Sequence, residues 1–300
     1  MTVSDIIKNA IDLHVHIGPE SIPRKFDIST LRAAERGRLA AIGVKNHFFP
    51  TVAMTGLVSA KSEPRIIPSV TLNESLGGLN PEIIRASAML ATEPLIVWMP
   101  TISARNVIRR TGEPLPAAWF GGSSVPKQVL PRTRGISVID SRGNITLVAK
   151  KVLRMIRQTG SILATGHLSW KESQVLVRMA MEKYGIRSVI VTHPIYQPIS
   201  MPISVQQELA DRGAYIEQCY SMFSMDGISI RRIVSQILAV GPKQCIISSD
   251  VGQAFSPQPS VALERFTRLL VRQGVTLDDV EAMLVRNPAD LLAKAGIRRD

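Results

Sequence analysis

The chain of 300 residues contains five histidines, and each stands at or just past the end of an apolar, strand-like run. They are His14 and His16 in AIDLHVH, His47 in AIGVKNH, His167 in SILATGH and His193 in SVIVTH; Asp250 closes a sixth run, CIISSD. Random placement would leave some imidazoles on helix faces. Confinement to strand ends puts the side chain best suited to transition metals where loops begin. The chemistry implied is a metal site. Three to five nitrogen and oxygen donors around an open position suit one or two divalent ions, zinc first, with iron, manganese or nickel also compatible. His14 and His16 are two apart on a strand, so both project from one face and reach one cation. A lone His-x-His also describes two half-exposed strand histidines; its weight here comes from His167, His193 and Asp250 in equivalent places on later runs. Asp12 reads as a buried polar partner on the opposite pleat, not as a ligand.

Lys45 and His47 in GVKNHF are likewise two apart and share a face. An inward Lys45 would neutralise an anionic substrate, stabilise a developing oxyanion or be carbamylated; the plainer alternative is an ion pair with Asp12 or Glu217. His47 is a further ligand or an orienting partner. Glu217 in AYIEQCY lies near a strand end, either hydrogen-bonded to the site or satisfied at the rim. Tyr196 and Gln197 follow His193 as substrate contacts or as packing. Asn73 and Glu74 follow the third run without a supporting signature, and Met222 with Met225 reads as loop packing.

The elements that must position these groups are legible in outline. Eight short apolar runs, approximately 10–15, 39–45, 65–71, 95–99, 161–166, 187–192, 214–218 and 244–249, have strand character. Several are continuously apolar, as strands buried on both faces should be. Between them the periodicity predicts helices over 27–37, 81–92, 146–159, 170–184, 203–212, 227–240 and 259–273, with a weaker one over 51–60. Strands alternating with helices over short connections predict α/β architecture with a parallel sheet. Eight units predict one closed (β/α)8 TIM barrel domain over 1–300, its strand ends converging on one mouth. A doubly wound sheet would spread the six residues along a crevice, and no glycine-rich phosphate fingerprint follows the first strand. The long insertion after strand four, 100–145, includes a hairpin at ISVIDSRGNIT; the rest, with Trp119, Phe120, Gly121 and Gly122, reads as a lid. Extra C-terminal helices, two short ones broken at Asn287-Pro288, end the chain.

Composition sets the remaining bounds. The chain is 45% hydrophobic, ample for a large core, and no run approaches the roughly 18 apolar residues of a membrane span. The net charge of +12 is dispersed and aromatics are only 5%, which argues against nucleic acid and for a basic surface tolerant of anionic small molecules. Nothing at the N-terminus reads as a signal peptide. Cys219 and Cys245 sit in apolar runs and read as reduced core residues, which fits a cytoplasmic protein. No segment specifies an oligomer, though a homo-oligomer is compatible with a barrel.

The ordered set of DLHVH after the first strand, a histidine after the fifth, another after the sixth and an aspartate after the eighth resembles the amidohydrolase superfamily of metal-dependent hydrolases. NPADLLA near residue 290 resembles the helix start that follows the last barrel strand there. The resemblance spans nearly the whole chain and belongs to a branch for which it carries no substrate. It implies that His14, His16 and Asp250 hold the more buried metal, with His167 completing a single-metal site or sharing a second ion with His193. It also implies that Asp250 takes a proton from metal-activated water. The chain departs from the two-metal members at the fourth strand, where LIVWMPTIS has neither the bridging lysine nor a glutamate. One ion is therefore favoured, and His193 would polarise water or substrate. The expected activity is cleavage of an amide, cyclic amide, lactone or ester bond in a small, anionic molecule, with Asp250, Lys45 and His193 catalytic. Alternatives are a single-metal decarboxylase or lyase, a phosphoesterase, and a metal-binding barrel without catalysis. Structural zinc is normally caged by four ligands, often cysteines, so histidines at loop-bearing strand ends suit an open site better.

Overall fold

A computed structural model describes residues 2–56, 63–112, 117–120 and 135–296. Its strands are β1 Ile11–His16, β2 Ala41–Lys45, β3 in two halves Arg65–Ile67 and Ser69–Thr71, β4 Ile96–Trp98, β5 Ile162–Ala164, β6 Val189–Val191, β7 Tyr215–Cys219 and β8 Cys245–Ser248. All eight expected runs form strands, and every neighbouring pair is parallel. Pro68 divides β3 because proline has no N–H for the ladder. The first half pairs with β2 and the second with β4. Ser69 Oγ donates to Val44 O (2.7 Å), tying the second half back to β2. The ring closes at a parallel bridge between Val15 and Val251, where His16 N donates to Val251 O and Asp250 N to His14 O, both at 2.8 Å.

Two apolar layers follow. Ile11, Leu13, Ile67, Ile96, Trp98 and Ile246 fill the barrel interior. Val15, Ile42, Val44, Val97, Leu163 and Val189 face the surrounding helices. That double burial is why the runs read as continuously apolar. Helix starts follow the expected chemistry: Asp27 Oδ1 accepts from Thr30 N (2.8 Å) ahead of Ile28–Glu35, and Asn80 with Pro81 opens Pro81–Leu90. Three helices escape the periodicity because they are short: Val3–Asn9, Arg105–Thr111 and Tyr220–Ser224. The weak helix over 51–60 is the single turn Val52–Thr55; residues 57–60 lie outside the described residues.

In the insertion, the hairpin forms. Ile139 bridges Ile145, and Asp140 Oδ1 accepts from Arg142 N and Asn144 N, each at 2.9 Å. Trp119 and Phe120 lie on a short 3-10 turn, while Gly121 and Gly122 lie outside the described residues. The C-terminal break does not occur. Leu277–Glu281 continues through a wide π turn, Ala282–Arg286, into Asn287–Lys294. A proline inside an ordinary helix loses a hydrogen bond and meets the carbonyl four residues back; widening the turn before Pro288 relieves both problems. Asn287 Nδ2 donates to Cys245 O (2.6 Å) and Pro242 O (2.8 Å), pinning this tail beneath β8. Both cysteines are free and buried, as expected. No helix among the described residues is long and apolar enough to cross a membrane.

β1 and β2 approach so closely that a Cβ on Gly43 would lie 2.5 Å from Leu13 O. Gly43→Ala is expected to cost about 1–3 kcal/mol of stability through overpacking of backbone, read from urea unfolding. A midpoint equal to wild type would contradict this account of the seam.

Candidate metal centre

Strict alternation along β1 would send Asp12, His14 and His16 to one face. The ladder does not alternate strictly: Asp12 pairs with Ile42 but Val15 with Val44, so β1 carries one extra residue between them. This bulge reverses the phase. Leu13 packs inside with Trp98, and Asp12 turns away to brace the distortion, its Oδ1 accepting from His14 N (3.2 Å) and Ser249 N (3.0 Å). Burial raises the Asp12 carboxyl to about 7 despite those bonds. It is a buried partner on the other pleat, as expected, though by way of the bulge.

Past the bulge, His14 and His16 point to the same place. Asp250 Oδ1 lies 3.1 Å from His14 Nε2 and 3.0 Å from His16 Nε2. The carboxylate comes from beyond β8 on a left-handed residue (φ 51°), a conformation aspartate tolerates better than most. Its Oδ2 accepts from Ser221 Oγ at 2.6 Å. Gly252 then lets the chain pass: a Cβ there would sit 2.2 Å from His16 O. Behind His14, the fully buried Glu217 lies 3.2 and 3.3 Å from Nδ1 with its two oxygens. A carboxylate only accepts, so Nδ1 carries the imidazole hydrogen and Nε2 presents its lone pair. Glu217 is thus an orienting group in contact with the site.

That tautomer decides whether the donor set fits a cation. Two lone pairs, on His14 Nε2 and Asp250 Oδ1, face each other across 3.1 Å with His16 adjoining. Such a contact is repulsive unless positive charge lies between or beside the pair. Lys45 supplies one such charge: its buried ammonium is 3.0 Å from His14 Nε2 and 4.4 Å from the ring of Trp98. The partner of Lys45 is therefore this imidazole, and neither Asp12 nor Glu217 forms an ion pair with it among the described residues. His14, His16 and Asp250 offer donor atoms all within 4.8 Å of one another, a set that fits a divalent ion.

The other histidines gather at the same mouth. His193 lies 5.9 Å from His14 and 5.0 Å from His167, ring to ring, and both His167 and His193 leave Nδ1 buried without a partner among the described residues. Neither belongs to the closest donor triads among the described residues. Tyr196 stands against both rings at 5.3 and 5.4 Å. His47 stacks on Trp119 of the insertion, 5.7 Å apart and 9° from parallel, and abuts His16 at 4.7 Å. Met222 and Met225 line the recess with these groups. Asn73 is structural: its Oδ1 accepts from Thr101 N (2.9 Å) and its Nδ2 donates to His47 O (3.0 Å).

Three residues escaped the sequence reading. Glu20 and Arg24 lie in the loop after β1, four apart, with side chains 0% and 2% exposed. Arg24 Nε donates to Glu20 Oε1 (2.6 Å), while Glu20 Oε2 is 2.8 Å from His47 Nδ1. The third is Ser221. An Arg four after a Glu just beyond His-x-His was the available signal for the first two; nothing marked the serine.

Burial pushes the His47 and His193 imidazoles down to about 4, so they are neutral at pH 7. For Asp250 burial works upward, but His14 and the hydrogen bond from His16 outweigh it and hold the carboxyl well below its usual range. Burial likewise lowers Lys45, to about 8, against the opposing pull of Asp250 and Glu217. At His47 and His193 the unfolded chain binds more protons than the native one between the unfolded histidine value, about 6.5, and the native value near 4. Their contribution to stability is therefore complete above pH 6.5 and lost as pH falls toward 4. Thermal melts of His47→Gln should show a shallower acid limb than wild type; identical limbs would refute the assignment.

The fold and site can now be set beside known proteins. The chain belongs to DUF6282, a family of unknown function whose model matches residues 9–217. No curated protein matches it in sequence. Solved structures share the fold at low identity. An amidohydrolase from Pseudomonas aeruginosa superposes at TM-score 0.66 with 10% identity, over 98% of this chain and 99% of that one. A dihydroorotase gives 0.56 and 15%, over 97% of this chain and 70% of that one. YjjV, a TatD homologue from Escherichia coli, gives 0.53 and 12%, over 96% and 99%. The barrel architecture is the one these structures share.

Proposed function

We propose that the protein is a metal-dependent hydrolase cleaving an amide, cyclic amide, lactone or ester bond of a small anionic molecule. One observation carries the reading: His14, His16 and Asp250 converge, the last two lining a recess, with Glu217 fixing the tautomer that offers His14 Nε2 to a cation. His14, His16 and Asp250 would hold the ion, with His167 completing its ligands. A divalent ion there supplies Lewis-acid activation of water, lowering its pKa from 15.7 to about 7.

The protein's own groups perform the remaining work. Asp250 stays ionised at neutral pH and takes the proton of the attacking water on a carboxylate oxygen. Being a weak base, it gives that proton up readily to the leaving group. Ser221 donates to Oδ2, so the carboxylate cannot rotate away. Lys45 and His193 flank the position of the developing oxyanion; the Lys45 ammonium contributes positive charge and His193 a neutral ring. Tyr196, Met222 and Trp119 wall the recess and exclude water.

A second reading is non-oxidative decarboxylation at a single ion. Trp98 supports it, because an indole 4.4 Å from His14 stands on the strand where a bridging lysine or glutamate would serve a second ion.

Protein purified without chelator should contain about one divalent ion per chain by elemental analysis and hydrolyse p-nitrophenyl esters or anilides. Asp250→Asn is expected to lower kcat by about 10²–10⁴. Glu217→Gln should weaken metal affinity about 10–100-fold. Carbon dioxide release from aromatic acids without carbonyl hydrolysis would favour the second reading. Turnover of phosphates alone, or an ion-loaded protein inert on every class, would refute both.

A further inference from the structure

The loop after β1 carries a cation that the hydrolytic scheme leaves unused. Asn46 Nδ2 holds this loop to Ile17 O and Pro19 O, both at 3.0 Å, and Lys25 N bonds Gly252 O at 2.8 Å. The loop is thus tied to the ends of β2 and β8, and the Arg24 side chain is delivered inward. Glu20 takes Nε. Nη2 reaches His16 Nδ1 at 3.2 Å and His47 Nδ1 at 3.3 Å. The shorter contact of His47 Nδ1, to Glu20 Oε2, requires that this nitrogen donate, so it is no acceptor for Arg24. Nη1 is buried with no acceptor among the described residues, and His47 Nε2 is equally without a partner. Arg24 and His47 both line the recess that contains Asp250.

A guanidinium clamped on its Nε edge by a carboxylate, with Nη1 buried beside a recess and lacking an acceptor among the described residues, has the form of an anion receptor rather than a completed ion pair. Two parallel N–H groups match the two oxygens of a carboxylate. His16 sets the spacing, because it touches Arg24 through Nδ1 and Asp250 through Nε2. Arg24 therefore stands one imidazole ring from the reacting position. Resting on the hydrolase reading above, we propose that Arg24, braced by Glu20 and His47, anchors a substrate carboxylate lying a few bonds from the cleaved carbonyl. The substrate class is then a small carboxylated amide, lactone or ester, with its acid group at the β1 loop and its scissile bond at Asp250.

The test is calorimetric titration of glutarate, its uncharged diamide and inorganic phosphate into ion-loaded protein, with metal content and thermal melting measured for each variant. Wild type should bind glutarate at least tenfold more tightly than the diamide and more tightly than phosphate. Arg24→Met should lose at least tenfold in glutarate affinity at unchanged metal content. Arg24→Lys should recover only part, since an ammonium cannot engage both oxygens; it also keeps the test decisive should Arg24→Met fold poorly or lose its ion. No glutarate binding by wild type, equal affinities in wild type and both variants, or a preference for phosphate would overturn the proposal. Arg24-dependent glutarate binding in a protein inert toward every carbonyl substrate would refute the hydrolase reading alone. Hydrolysis with Arg24-independent binding would refute the anchor alone.

Discussion

A carboxylate withdrawn from water is costly unless positive charge or hydrogen-bond donors meet it, and Asp250 is such a group. The His16 imidazole and the Ser221 hydroxyl receive it, with the Lys45 charge beside His14, and His16 does so only because the barrel closes. The bonds from His16 N to Val251 O and from Asp250 N to His14 O stitch residues more than 230 positions apart into one ladder. Had the sheet stayed open, β1 and the end of β8 would lie at opposite edges, and the carboxylate would lack its imidazole partner. The closure that completes the fold is therefore the contact that makes the site.

Around that seam the charges are arranged in alternation. Glu217 fixes His14, His14 and Lys45 face Asp250, and Glu20 fixes Arg24 and His47. Each buried charge has an opposite or a donor beside it, the condition for keeping ionised groups in a barrel interior. Neutral His47 and His193 add donors without adding to the positive charge. The result is a recess whose floor suits a cation and whose β1 side suits an anion.

Much of this was legible in the sequence because barrel strands are apolar on both faces and end abruptly, so a histidine at the boundary is conspicuous. The eight strands and the hairpin around Asp140 followed from such local signals. The placement of His14, His16 and Asp250 together followed from strand order. What stayed hidden depends on the phase or path of the backbone. The bulge at Leu13 and His14 has no residue signature, so parity alone would have misdirected Asp12. Pro288 marked a break, yet a π turn absorbed it. Glu20 and Arg24 lie in an irregular loop, where four-residue spacing has no fixed geometry. Lys45 does point inward, but its partner is an imidazole on the neighbouring strand β1, not the acid that charge pairing alone would name.

The central claim is that His14, His16 and Asp250 share one cation. Its most direct test is anomalous diffraction at the absorption edge of the metal found in the purified protein. The account requires a peak within bonding distance of His14 Nε2, His16 Nε2 and an Asp250 oxygen together. A peak elsewhere, or ordered protein with no peak among these three side chains after saturation with zinc, would contradict it.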